Sequence, residues 1–77
     1  LAKNKKYVLF NLPVSKLDEA ARIVGGMKSP TVTPLMDKEW VSVQSVVAED
    51  RFWSVFEELR ALGAEGILVM DIEKMTE

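Results

Sequence analysis

Two helical apolar stripes set between four β-rich runs constrain this chain more than any other feature. Tyr7–Leu12 is rich in β-formers and stops at Pro13, which marks a strand. Leu17, Ala20, Ala21 and Val24 then recur at i, i+3, i+4 and i+7, the stripe of a short helix. Ser15 is placed to cap that helix, with Asp18 at the capping-box spacing, and Gly25-Gly26 to end it. A short strand is expected from Thr31 to Met36, with Pro34 marking it as an edge strand because proline cannot donate to the ladder. After the polar turn Asp37-Lys38-Glu39, Trp40–Ala48 alternates apolar and polar residues as a strand does. Glu49-Asp50 opens a second helix with acid at its positive end. Phe52, Val55, Phe56, Leu59 and Leu62 form its stripe, and Gly63 is its cap. Gly66–Ile72 is the last strand.

The order β-α-β-β-α-β is the split βαβ motif. It predicts an α+β, ferredoxin-like fold: a four-stranded antiparallel sheet with two helices on one face. Residues 7–77 form a single domain in this reading, and residues 1–6 a linker or tail. The start at Leu1 rather than methionine, with Lys3, Lys5 and Lys6 close behind, is what a solvated linker cut from a longer chain or a vector-derived tail would give.

A half-solvated sheet should alternate, yet Val8-Leu9-Phe10 and Ile67-Leu68-Val69-Met70 do not. Apolar side chains therefore point away from the helices as well as toward them. A patch of that kind rarely stays wet, so the open face is expected to meet other copies of the chain or another domain. The size of the chain agrees. For 77 residues, burial contributes about 120 kcal/mol, against about 115 kcal/mol for ordering the chain. With no cysteine, disulfides cannot close the gap.

Composition excludes much chemistry. The chain has no histidine and no cysteine, so it has no imidazole base, no thiolate nucleophile and no Cys/His zinc site. A net charge of −2 argues against nucleic acid as a partner. No apolar run is long enough to span a membrane, and the polar, basic start is not a signal peptide, so a cytoplasmic protein is expected. Twelve carboxylates suggest acid–base work, but Asp18-Glu19 and Glu57-Glu58 lie on solvated helix faces, and Asp71 and Glu73 near a strand end. A free-standing enzyme is the weakest reading.

The stretch from Gly25 to Glu39 is long and chemically varied, with Lys28, Ser29, Thr31 and Thr33 among its side chains. It lacks the Walker spacing and leads into a strand, so it is no phosphate loop. Its hydroxyls suit a small zwitterionic ligand, and a merely structural loop is the equal alternative. Asn11 either caps the turn after its strand or faces a ligand. Trp40 and Trp53 are anchors in a core or an interface rather than stacking platforms.

Three stretches carry a resemblance. The first is Gly26-Met27-Lys28-Ser29-Pro30-Thr31-Val32 followed by Pro34-Leu35. The second is Trp40-Val41 with Phe52-Trp53. The third is Leu59-Arg60-Ala61-Leu62-Gly63-Ala64-Glu65-Gly66-Ile67-Leu68-Val69 followed by Ile72-Glu73-Lys74-Met75. In this order they resemble the C-terminal regulatory domain of long-form ATP phosphoribosyltransferases, the first enzymes of histidine biosynthesis. The resemblance runs from about Lys6 to Met75. It implies a ferredoxin-like domain related to ACT and PII-like folds, without catalytic residues or a cofactor of its own. It implies two preceding catalytic domains that bind ATP and phosphoribosyl pyrophosphate with magnesium. It also implies a hexamer in which this domain binds L-histidine between neighbouring subunits for feedback inhibition.

Carried over by position, the candidate histidine contacts are Asn11, Met27, Ser29, Thr31, Val46 and Gly66. Ser29, Thr31 and Asn11 would hydrogen-bond polar groups, Val46 and Gly66 would offer backbone, and Met27 would supply apolar contact. Relatives vary at Asn11, some with a carboxylate, and a neutral amide holds a cation less strongly. The alternative is a purely structural oligomerisation module that binds no ligand.

Overall fold

The first strand is the hub of the sheet. In the computed structural model, which describes residues 4–25 and 29–72, β1 (Lys5–Pro13) pairs antiparallel with β3 (Trp40–Ala48) on one side and β4 (Glu65–Ile72) on the other. β2 (Thr31–Pro34) pairs antiparallel with the outer side of β3, giving the order β2-β3-β1-β4. Helix α1 (Leu17–Val24) joins β1 to β2, and α2 (Phe52–Leu62) joins β3 to β4. This is the α+β, ferredoxin-like architecture expected from the sequence, and the Pro34 strand lies at the edge.

One cluster explains why both helices share a face. Val8, Phe10 and Leu12 of β1 and Val41, Val43 and Val47 of β3 are buried with Ala20 and Val24 of α1 and Phe52, Val55 and Leu59 of α2. These strand residues alternate along the chain, so they come from one side of the pleat. Ile67 and Val69 of β4 pack against the same cluster. Both helical stripes thus fall where the 3.6-residue period puts them.

Local chemistry differs from expectation at three points. Ser15 makes no capping bond: it lies in a 3₁₀ turn, Val14–Lys16, and α1 begins only at Leu17. The backbone N–H of Val14 donates to the Glu39 carbonyl (2.8 Å), tying this turn to the β2–β3 connection. Likewise Glu49-Asp50 belongs to a 3₁₀ turn, Glu49–Arg51, just ahead of α2. The first strand starts at Lys5 rather than Tyr7, because Lys5 and Lys6 pair with Ala48 and Val47 on one side and with Ile72 and Asp71 on the other.

The end of α2 follows its glycine closely. Gly63 takes φ 111°, its N–H donates to the Arg60 carbonyl (3.1 Å), and the Ala64 N–H donates to the Leu59 carbonyl (3.0 Å). This pair of bonds is the Schellman motif. It turns the chain directly into β4.

Candidate functional site

The sheet face opposite the helices carries the candidate ligand residues Asn11, Thr31 and Val46, and the strand register arranges them in rungs. One rung runs Thr33–Ser42–Asn11–Glu65 from β2 to β4. The next runs Thr31–Gln44–Leu9–Leu68, and the third Val46–Tyr7–Met70. Residues on one rung share a face, so this surface is polar at the end near Asn11 and toward the β2 edge, and apolar at Leu9, Leu68 and the far rung. Leu68 is 60% exposed and Met70 54%. The broken alternation in β1 and β4 thus does put apolar side chains on the uncovered face.

Asn11 is half-buried on β1, next to an irregularity in β4. Between the Leu9–Leu68 and Asn11–Glu65 pairs, Gly66 and Ile67 together oppose Phe10 alone. Gly66 adopts φ +61°, the left-handed conformation that opens a β-bulge of this kind. A Cβ added at Gly66 would sit 4.0 Å from the Asn11 amide nitrogen. The backbone of Gly66 and the side chain of Asn11 are therefore immediate neighbours.

Thr31 is exposed on the edge strand β2, and Ser29 is exposed just before it. Val46 is half-buried on β3, one rung along. Met27 lies outside the described residues. Thr31 and Asn11 are on strands separated by β3 and one rung apart, so they stand roughly 12 Å apart across the sheet. Within one chain the candidates form two groups: Asn11 with Gly66 toward the β4 edge, and Ser29, Thr31 and Val46 toward the β2 edge.

Three polar residues between and beside these groups, Ser42, Gln44 and Glu65, escaped the sequence reading as site residues, and they join Thr33, whose hydroxyl it had noted. The Thr33 hydroxyl donates to Gln44 Oε1 (3.4 Å), and Gln44 Nε2 donates to Ser42 Oγ (2.8 Å). This chain of bonds leads from the β2 edge to the strand beside Asn11. Glu65, exposed and in register with Asn11, sets a carboxylate next to the neutral amide. Only the pairing register brings these residues to the site. The one sequence signal was the alternation in β3, which already placed Ser42 and Gln44 on the face away from the core.

Away from this end, Lys6 Nζ donates to Asp71 Oδ1 (2.5 Å) and sits 5.7 Å from the centre of the Phe52 ring. The hydrogen bond to Asp71 holds the Lys6 ammonium above the ordinary lysine range, and the charges of Asp71 and Glu49 add to it against partial desolvation. A shallow cleft of about 220 Å³ lies here, lined by Asn4, Lys5, Lys6, Glu49, Asp71 and Ile72. None of the candidate ligand residues lines it. Among the described residues no group of three or more metal-ligating side chains could hold a metal ion, and no helix is long and apolar enough to cross a membrane.

Trp40 is half-buried at the start of β3. Trp53 is 70% exposed on α2, so it is not a core residue. Its place beside the buried Phe52 puts it on the flank of the stripe rather than within it.

The family model for the HisG C-terminal domain matches residues 2–74. The chain belongs to the HisG C-terminal domain family. Among its relatives, the ATP phosphoribosyltransferase of Parabacteroides distasonis is 61% identical over 75 residues, 97% of this chain and 26% of the relative. The ATP phosphoribosyltransferase of Phocaeicola vulgatus is 55% identical over 74 residues, and that of Cytophaga hutchinsonii 45% over 74 residues, each covering 96% of this chain and 26% of the relative. The chain thus spans about a quarter of the length of the curated relatives it matches. For a HisG C-terminal domain, the open sheet face with its split polar and apolar halves is the feature to explain.

Proposed function

We propose that this domain is the regulatory module of an ATP phosphoribosyltransferase. It binds L-histidine for feedback inhibition and helps hold an oligomer, a hexamer in the whole enzyme. The observation that carries the reading is the family match over residues 2–74, joined to relatives of that name at up to 61% identity. The open face supports it. Its candidate contacts fall in two groups toward opposite edges, so a copy's Ser29–Thr31 edge meeting a neighbour's Asn11–Gly66 edge would complete a site that one chain leaves divided. The apolar half, with Leu9, Leu68 and Met70, offers burial for such an assembly.

In this reading Ser29 and Thr31 hydrogen-bond the ligand from one side. Asn11 and the backbone at Gly66 bind it from the other, where the Glu65 carboxylate compensates for a neutral residue at position 11 by attracting the ligand's ammonium group. Histidine then favours the subunit arrangement in which both edges meet. It can shift the equilibrium only by its difference in affinity between arrangements. In this reading ATP, phosphoribosyl pyrophosphate and magnesium belong to the catalytic region of the enzyme. The enzyme is placed in the cytoplasm.

Calorimetric titration of histidine into the assembled protein tests this. The double variant Ser29→Ala/Thr31→Ala should weaken binding about tenfold, from two lost hydrogen bonds of about 0.5–1.5 kcal/mol each, with the sedimentation coefficient unchanged. Absence of heat and of any thermal shift at millimolar histidine would reject the ligand. An indifferent double variant in an intact oligomer would favour the second reading, a purely structural oligomerisation module, which the apolar open face also fits.

A further inference from the structure

The helical side of the domain carries an aromatic ridge that the fold uses only in part: Phe56 packs against the core, whereas Trp53 and Arg60 are exposed. Trp53, Phe56 and Arg60 follow one flank of α2 at i, i+3 and i+7. Trp53 is 70% exposed, yet it is held in place. Its ring meets Phe52 edge-on at 5.1 Å and Phe56 at 5.7 Å and 82°, and the Arg60 guanidinium lies 5.9 Å from the Phe56 ring centre. A tryptophan pre-ordered by its neighbours loses little freedom on docking, and Trp and Arg are among the residues enriched at interface hot spots.

The position of the ridge indicates what covers it. The near end is Phe52, which Lys6 overlies, and the Asn4 carbonyl accepts the N–H of Glu49 (3.1 Å) just ahead of α2. The start of β1 therefore lies beside the N-terminal end of α2, next to Phe52, whose ring meets Trp53. The relatives are about four times as long as this chain, whose match is to their C-terminal domain. The opposite side of the domain already offers the open sheet to other copies. We infer that the ridge Trp53–Phe56–Arg60 docks against the region that precedes Lys5 in the full-length protein, so that the chain enters and packs at one end of α2. This rests on reading the domain as the C-terminal part of an ATP phosphoribosyltransferase. The partner surface has an apolar recess for the indole, and the contact joins the ligand-binding domain to the rest of its own enzyme.

The test places a photo-crosslinking benzoylphenylalanine at position 53 of the full-length protein, followed by irradiation and peptide mapping. Cross-links to peptides preceding Lys5 are expected. Cross-links to residues 4–72 of a second copy would overturn the proposal in favour of a copy–copy contact, and no cross-link would overturn it in favour of a bare surface. The same label at Glu57, exposed one turn further along α2, covers a variant at position 53 that fails to fold. Histidine titration of the same sample reads the regulatory function separately: cross-links without histidine binding would refute that function and leave the docking intact.

Discussion

Gly66 shows how one residue shapes the candidate site. Its φ of +61° is a conformation that L side chains adopt at a cost of about 1–2 kcal/mol. A Cβ there would meet nothing closer than the Asn11 amide nitrogen at 4.0 Å. Gly66→Ala should therefore lower stability by about 1–2 kcal/mol through backbone strain and not through a clash, and Gly66→Asn by less. Thermal melting of the two variants checks this. Equal losses would mean that space, not conformation, requires the glycine. Lys6 gives a prediction of the opposite kind, in pH. Its folded-state pKa is raised, so wherever Asp71 is ionised the contact stabilises the fold up to the ordinary lysine pKa of about 10.4. The contribution should fade as pH rises from there through the raised value. Chemical denaturation between pH 8 and 11 should show the native protein losing more stability than Lys6→Met over the upper part of that range.

At the scale of elements, the helices depend on contacts that cross between them. Arg51, in the turn before α2, donates from its two terminal nitrogens to the carbonyls of Ile23 (3.2 Å) and Gly25 (3.3 Å) at the end of α1. A cation there satisfies orphan carbonyls and opposes the negative end of the helix. Arg51→Ala should cost about 1 kcal/mol and should speed amide exchange at the C-terminal end of α1 more than elsewhere. Uniform exchange across the domain would contradict this. The elements themselves were largely legible in the chain. The strand covers the expected span Trp40–Ala48 with Val41, Val43 and Val47 in the core, and both helical stripes face the core. The starts were less legible. Ser15 looked like a cap, but the backbone bond from Val14 to Glu39 draws the chain into a 3₁₀ turn first, and that partner lies 25 residues away.

At the scale of the whole molecule, the uncovered sheet face is the main consequence of having two helices for a four-stranded sheet. Leu68 and Met70 stand on it more than half exposed. In the proposed oligomer, Leu68→Lys/Met70→Lys should shift sedimentation toward smaller species while leaving far-UV circular dichroism unchanged, because neither residue belongs to the buried cluster. An unchanged sedimentation profile would place the subunit contact elsewhere.

The chain by itself determined the element order, the core stripes and the presence of apolar side chains on both sides of β1 and β4. These depend on periods of 2 and 3.6 residues, which are local. It also carried the family resemblance, because motifs are strings. Tertiary structure alone decided which residues become neighbours. The register set Glu65 beside Asn11 and Thr33 opposite Ser42, and the Gln44 side chain bonds to both members of that second pair. Strand order set Thr31 and Asn11 two strands apart. Neither follows from spacing along the chain, since a hydrogen-bonded rung joins residues tens of positions apart, and a single bulge at Gly66 changes which of them meet.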